Sequence, residues 1–112
     1  MIVRQILSRD DLREMAPKFF GDMVKGVADV KRRILALDAE LHSDLELELL
    51  EDGSEQAALW GINLYPDEEG DAFVEFDSVI NLRPMQGNRI RGVSDAAVRG
   101  QIQEVVAQWI EG

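Results

Sequence analysis

The chain has no cysteine among its 112 residues. Disulfides, thiolate metal sites and cysteine nucleophiles are thereby excluded. A secreted domain of this size would more often be stapled, so an intracellular, cytoplasmic setting is expected. Histidine is almost as scarce: His42 is the only one, which makes a poor zinc set, and neither a metal nor a cofactor is expected. No apolar run approaches the roughly 20 residues that cross a bilayer. Met1–Leu7 is too short and too polar to read as a signal peptide. Nucleophile elbow, phosphate loop and dinucleotide fingerprint are all missing. The most informative absence is of positive charge, since no lysine or arginine stands between Arg33 and Arg83.

That gap carries fourteen carboxylates. The formal charge is +3 over residues 1–33, −14 over 34–82 and +1 over 83–112, or −10 in all. Such a chain lacks the basic face that phosphate neutralisation requires, so nucleic acid is not an expected partner, and neither is an anionic membrane. Directly after the gap comes Asn81-Leu82-Arg83-Pro84-Met85-Gln86-Gly87-Asn88-Arg89-Ile90-Arg91, with three arginines and no acid. Charge segregated this way has to be resolved by internal pairing, by a partner or by a ligand.

At 112 residues and 46% hydrophobic content the chain has material for one core, and a single domain over 1–112 is expected. Met1–Leu7 reads as a short strand. Ser8 then looks like a helix cap, followed by Asp10, Asp11 and Glu14 where the helix dipole favours them and by Leu12, Met15, Phe19 and Phe20 at helical spacing. Pro17 should kink or interrupt that helix, and Gly21 can end it. Residues 22–33 fit helix and strand equally well. Period-two alternation follows through Leu35, Leu37, Ala39 and Leu41, and again through Leu45, Leu47 and Leu49, implying a sheet with one wet, carboxylate-lined face. The second stretch has a rival reading as a short helix capped by Ser43. Asp52-Gly53 is a hairpin signal. Strands are expected over 59–65 and 72–82, a loop over 83–94 and a final helix opened by Ser94 and Asp95 and running to Trp109. The fold class is α+β, with two layers: an antiparallel sheet of about five or six strands covered by an N-terminal and a C-terminal helix.

Five segments carry a resemblance that covers nearly the whole chain. They are Phe20-Gly21-Asp22-Met23-Val24-Lys25, Glu40-Leu41-His42-Ser43-Asp44, Leu50–Gln56, Leu59-Trp60-Gly61-Ile62-Asn63-Leu64-Tyr65-Pro66 and Ile80–Arg89. The chain resembles a family of short uncharacterised bacterial and archaeal proteins, a domain of unknown function with ELHxD, LWGxNxYP and INxRPxQxNR motifs. The resemblance implies no activity. It does imply β-branched residues in place of Val24–Val30, which favours a hairpin of strands over 23–31 and 34–41. Ile90-Arg91 departs from the small polar residue usual after Arg89.

Two groups of residues are candidates for a site. Glu40, His42 and Asp44 would share one face of a continuous strand, where carboxylates can orient the histidine as a general base or join it around a divalent cation; otherwise they belong to a solvated face or turn. Asn81, Arg83, Gln86, Asn88 and Arg89 offer guanidinium forks and amides suited to a carboxylate or phosphate. They can equally pin the loop to Asp38, Glu40, Glu75 or Asp77. Trp60, Tyr65 and Trp109 read as core or rim aromatics, or else as a contact surface. The expected function is a non-enzymatic binding or interaction module that uses loop 81–91 toward a protein or a small anionic ligand. The alternative is a small hydrolase or nuclease-like enzyme, with His42 as base and Arg83 or Arg89 stabilising negative charge. That alternative requires His42 beside an arginine in a concave site. A homo-oligomer, joined acidic sheet to arginine loop, is a further possibility.

Overall fold

A computed structural model describes all residues, Met1–Gly112. The first helix, α1 (Arg9–Met15), starts where Ser8 closes a capping box: Ser8 Oγ accepts from the Asp11 amide at 3.1 Å and Asp11 Oδ2 accepts from the Ser8 amide at 2.8 Å. Pro17 interrupts it: the α-helix gives way to a 3-10 turn, Ala16–Lys18, and Gly21, at φ +89°, donates its amide to Ala16 O. Strands β1 (Val24–Asp29) and β2 (Ile34–Leu37) form an antiparallel hairpin. Its turn is organised by Asp29, fully buried, whose Oδ1 accepts from the amides of Lys31 and Arg32 and whose Oδ2 accepts from Ser54 Oγ. Helix α2 (His42–Glu51), strands β3 (Leu59–Leu64) and β4 (Val74–Glu75) and helix α3 (Ala96–Trp109) follow.

The sheet has four strands in the order β2-β1-β3-β4, every pair antiparallel. This is an α+β fold, but the expected five or six strands are reduced to four, and three helices replace two. The N-terminal segment is not a strand. It lies along the outer edge of β2 through Val3 N–H to Leu35 O and Leu37 N–H to Met1 O, and it bridges α3's end at Leu7. The alternating stretch after Ser43 is helical, as the rival reading had it, but Ser43 lies inside the helix and Leu41, not Ser43, stands at the cap position. Its Leu and Glu residues are good helix formers, and only Leu45 and Leu49, spaced four apart, are buried, while Leu47 and Leu50 are exposed. Asp52-Gly53 is therefore the end of α2, with Gly53 at φ +106°, rather than a hairpin turn. The strand expected over 72–82 ends at Glu75. Ser78 turns its hydroxyl to accept from the Ile80 amide and starts a 3-10 turn, Val79–Asn81.

Neither face of the sheet is simply wet. The main core lies on one face, where Val24, Ala28, Leu35, Ile62 and Leu64 meet Leu12 of α1 and Ile102 and Val105 of α3. On the other face α2 lays Leu45 and Leu49 over Val27, Ala36 and Leu59. The sheet is thus sandwiched, a third layer the sequence reading lacked. Because α2 covers only one end of that second face, the end carrying Lys25, Asn63 and Glu75 is left without a helix.

Where β4 has stopped, β3 still presents a backbone N–H and C=O at Gly61. The side chain of Asn81 takes both, accepting from Gly61 N–H at 2.8 Å and donating to Gly61 O at 2.9 Å. Asn81 Nδ2 also donates to Arg91 O at 2.9 Å. The segment crosses so closely that a Cβ on Gly61 would stand 2.5 Å from Ser78 Cβ. Asn81 is fully buried, so its loss leaves several backbone groups unsatisfied. Asn81→Ala should lower stability by about 2–4 kcal/mol, read as a fall in the denaturant midpoint. Gly61→Ala should be comparably damaging; a midpoint unchanged in both variants would mean the crossing does not hold the sheet edge.

Candidate functional site

On the uncovered end of the second face, the strand register sets Lys25 opposite Asn63 and Asn63 opposite Glu75. Paired residues point to the same side of a sheet, so a cation, an amide and a carboxylate form a row across β1, β3 and β4. Tyr65 and Asp77 flank the row on opposite sides, because the antiparallel register carries residues beyond Asn63 and beyond Glu75 in opposite directions. The N-terminus of α2 brings in His42, and Arg91 enters from the loop. Together they line a cleft of about 500 Å³, with Leu41 and Val79 among its apolar walls. That volume is in the range of small-molecule sites.

Each polar group in the cleft has a definable state. Glu75 Oε1 accepts from Asn63 Nδ2 at 2.8 Å and from the Tyr65 hydroxyl at 3.1 Å. Burial, and then the Glu75 carboxylate, push the Tyr65 pKa up, so the phenol stays a donor. Asn63 Nδ2 faces a second acceptor, the Asp77 carbonyl at 3.3 Å, which fixes the orientation of the amide. Its Oδ1 is buried and has no hydrogen-bond partner, on a residue only 4% exposed. Asp77 pairs with Arg91 Nε at 2.7 Å. Lys25 has no carboxylate partner; its ammonium lies 4.8 Å from the centre of the Phe20 ring.

His42 is buried, and its Nε2 lies 2.8 Å from Ile62 O. A carbonyl only accepts, so Nε2 carries the proton and Nδ1 the lone pair when the ring is neutral. Burial lowers the pKa, and the nearby Lys25 adds to that. The Ile62 carbonyl, Asn63 and Asp77 oppose it.

The two groups of sequence candidates fare differently. Glu40, His42 and Asp44 do not share a strand face. Glu40 is exposed ahead of α2, Asp44 is exposed in its first turn, and His42 alone turns inward. The physical reason is the helical rotation of α2, which separates residues two apart. No group of three His, Asp or Glu side chains forms a metal-binding cluster. In the loop, Asn81, Arg83, Gln86 and Asn88 are engaged with backbone carbonyls and amides. Arg83 donates through Nε to Ile80 O at 3.0 Å and through Nη1 to Gln56 O at 2.7 Å. Its Nη2 donates to Leu59 O, and its guanidinium lies 4.3 Å from the centre of the Trp60 ring. Burial lowers its pKa, against the pull of Glu46, and it remains charged as arginine does. Gln86 donates to Ala57 O. Asn88 Nδ2 donates to the carbonyls of Asn81, Ile90 and Gly92, while its Oδ1 accepts from the amide and hydroxyl of Ser94. Arg89 is exposed and makes neither hydrogen bond nor ion pair. Of the loop arginines only Arg91 reaches the cleft with His42. Trp60 is core, and Trp109 is half-buried with its indole N–H donating to Arg33 O.

Lys25, Asn63, Tyr65 and Arg91 were not singled out as polar site residues, and Glu75 and Asp77 only as counter-charges. One signal was available for Asn63: an amide in the middle of the apolar run Leu59–Tyr65, where a polar residue needs a reason.

The family model "Protein of unknown function (DUF5674)" matches residues 1–109, and the chain belongs to this family. No curated protein and no solved structure matches the chain.

Two outcomes follow from this geometry. Arg83→Ala removes hydrogen bonds to carbonyls and an aromatic contact and should cost about 1–2 kcal/mol, whereas Arg89→Ala should leave the melting temperature unchanged; equal effects would contradict the difference in their contacts. The second outcome concerns pH. The unfolded chain takes up a proton on His42 near 6.5, and the folded chain only at lower pH. Acid therefore favours unfolding, and stability should fall as the pH drops from about 7 to 5. His42→Gln should flatten that dependence in urea titrations. The Asp52 carboxylate, lowered chiefly by its hydrogen bond from Arg32, acts elsewhere: its contribution is present above about 3.8 and lost in stronger acid.

Proposed function

We propose that this member of the DUF5674 family is a binding module that takes a small polar molecule into the cleft between β1, β3, β4 and the start of α2. The observation that carries the reading is the Lys25-Asn63-Glu75 row, left open on a face that α2 otherwise covers. Buried polar groups are ordinarily satisfied, and the Asn63 Oδ1 in this row is not. Beside it Glu75 is held by hydrogen bonds from Asn63 and Tyr65, so its carboxylate meets a ligand already positioned. The loop Asn81–Arg91 serves the same site in two ways. Arg91 and its partner Asp77 form one wall, and the amides of Asn81 and Asn88 fix the crossing that ends the row.

The tip of the loop supports a second reading, as a contact for a protein partner, because Met85 is fully exposed and Arg89 is unpaired.

Backbone-detected titration with a library of small polar fragments tests the cleft. Shifts should cluster at Lys25, Asn63 and Glu75, and Lys25→Met or Glu75→Gln should weaken the responding fragments about tenfold or more, near 1.4 kcal/mol, while leaving the melting temperature close to wild type. Shifts gathered on the loop tip instead would favour the second reading. Fragments that bind both variants as well as wild type would remove the cleft from consideration.

A further inference from the structure

The charges lining the cleft are not all free. Asp77 and Arg91 neutralise each other at 2.7 Å. His42 donates to Ile62 O and, with its pKa lowered by burial, carries no charge at neutral pH. Lys25 and Glu75 are left, and neither has an oppositely charged side-chain partner. They do not pair with each other because Asn63 stands between them in the register. Two strand spacings set their backbones roughly 10 Å apart.

The two ends of the row differ in stiffness. Glu75 is held at Oε1 by Asn63 and Tyr65, which leaves Oε2 with no protein donor. Lys25 carries its ammonium on a flexible stem that can swing toward the centre of the cleft. A lone anion drawn to Lys25 would also face Glu75, and a lone cation drawn to Glu75 would also face Lys25. Each would meet repulsion along with attraction. A molecule bearing both charges, oriented along the row, meets attraction at both ends.

Length narrows the class further. The termini of an extended dipeptide stand roughly 7 Å apart, and those of a free amino acid roughly 3.5 Å. Adding a contact of roughly 3 Å at each end, the longer molecule matches a lysine stem left extended beside Phe20, and the shorter one needs that stem to lean inward. The apolar walls at Leu41 and Val79, both exposed, give an aliphatic side chain a surface to cover. We propose that the ligand of the cleft is a zwitterion of dipeptide size, its ammonium group on Glu75 and its carboxylate on Lys25. The inference rests on the reading of the cleft as a small-molecule site.

Leucylglycine, N-acetyl-leucylglycine and leucylglycinamide are the probes, titrated into the intact protein by calorimetry with amide shifts recorded in parallel. Leucylglycine should bind in the cleft, and capping either end should weaken it at least tenfold. Each cap should also silence one residue: leucylglycinamide should bind Lys25→Met and wild type alike, and the N-acetyl form should bind Glu75→Gln and wild type alike. Caps without effect, with shifts still in the cleft, would overturn the zwitterion and leave the cleft as a binding site. The same holds if none of the three binds while other polar fragments still map to the cleft. If neither peptides nor fragments bind there, both readings fall. Neither substitution touches the core, and a melting curve on each variant separates lost binding from lost folding.

Discussion

The side chain of Asn81 does the work of a missing strand. Strand β4 lasts two residues, and beyond it β3 would present an unpaired N–H and C=O to the interior, a costly arrangement for backbone polar groups. A carboxamide has the donor and acceptor of a peptide unit, and Asn81 offers both to Gly61. Everything after β4 is arranged so that it can. The chain turns at Ser78, crosses over a residue with no Cβ, and is locked by Asn88, which takes the carbonyl of Asn81 itself. Arg83 fastens the next turn to the start of β3 at Leu59. The cleft exists because this crossing ends at Gly61, leaving the row at Asn63 uncovered on one side, while α2 leaves it uncovered on the other.

The charge asymmetry is settled mainly from the opposite end of the chain. Within residues 34–82, Asp38, Glu48, Asp52, Glu55 and Asp67 pair with Lys18, the terminal amine, Arg32, Lys31 and Arg13, all from the first third. Only Asp77 pairs with the arginine loop, through Arg91. Arg83, the arginine that opens the loop, is bound by neutral carbonyls. Carbonyls at a strand start are short of donors, and a guanidinium has five, so the loop uses arginine as a multiple donor more than as a counter-charge.

How far the sequence could be read depended on whether the signal was local. Ser8 capping α1 and the stripe on α3 are decided within a few residues, and pattern reasoning reaches them; β1 fits helix and strand equally well by pattern, and only the family resemblance favours the hairpin that the structure has. The stretch Leu45–Leu49 defeated it because leucines alternating with glutamates satisfy a period of two, while burial of only Leu45 and Leu49 shows that the tertiary contact selected four. The strand expected to run to Leu82 failed for a different reason: Asn81 is buried on account of a partner twenty residues away, which no window contains. The loop stood out in sequence for its amides and arginines, and most of that polarity is turned inward. The cleft residues lay scattered over three strands and became a group only through register. His42 alone of the first candidate set belongs to it.

The clamp at Gly61 is built from amides, which carry no net charge at any pH a cell meets. Added salt screens the ion pairs that dot the surface but has little hold on a hydrogen bond between Asn81 and a buried peptide. The clamp itself is therefore indifferent to ionic strength, while the Asp77–Arg91 pair at the cleft wall and the Lys25 and Glu75 charges are not. Salt becomes a dial that turns the charges lining the cleft without touching the amide clamp beneath them.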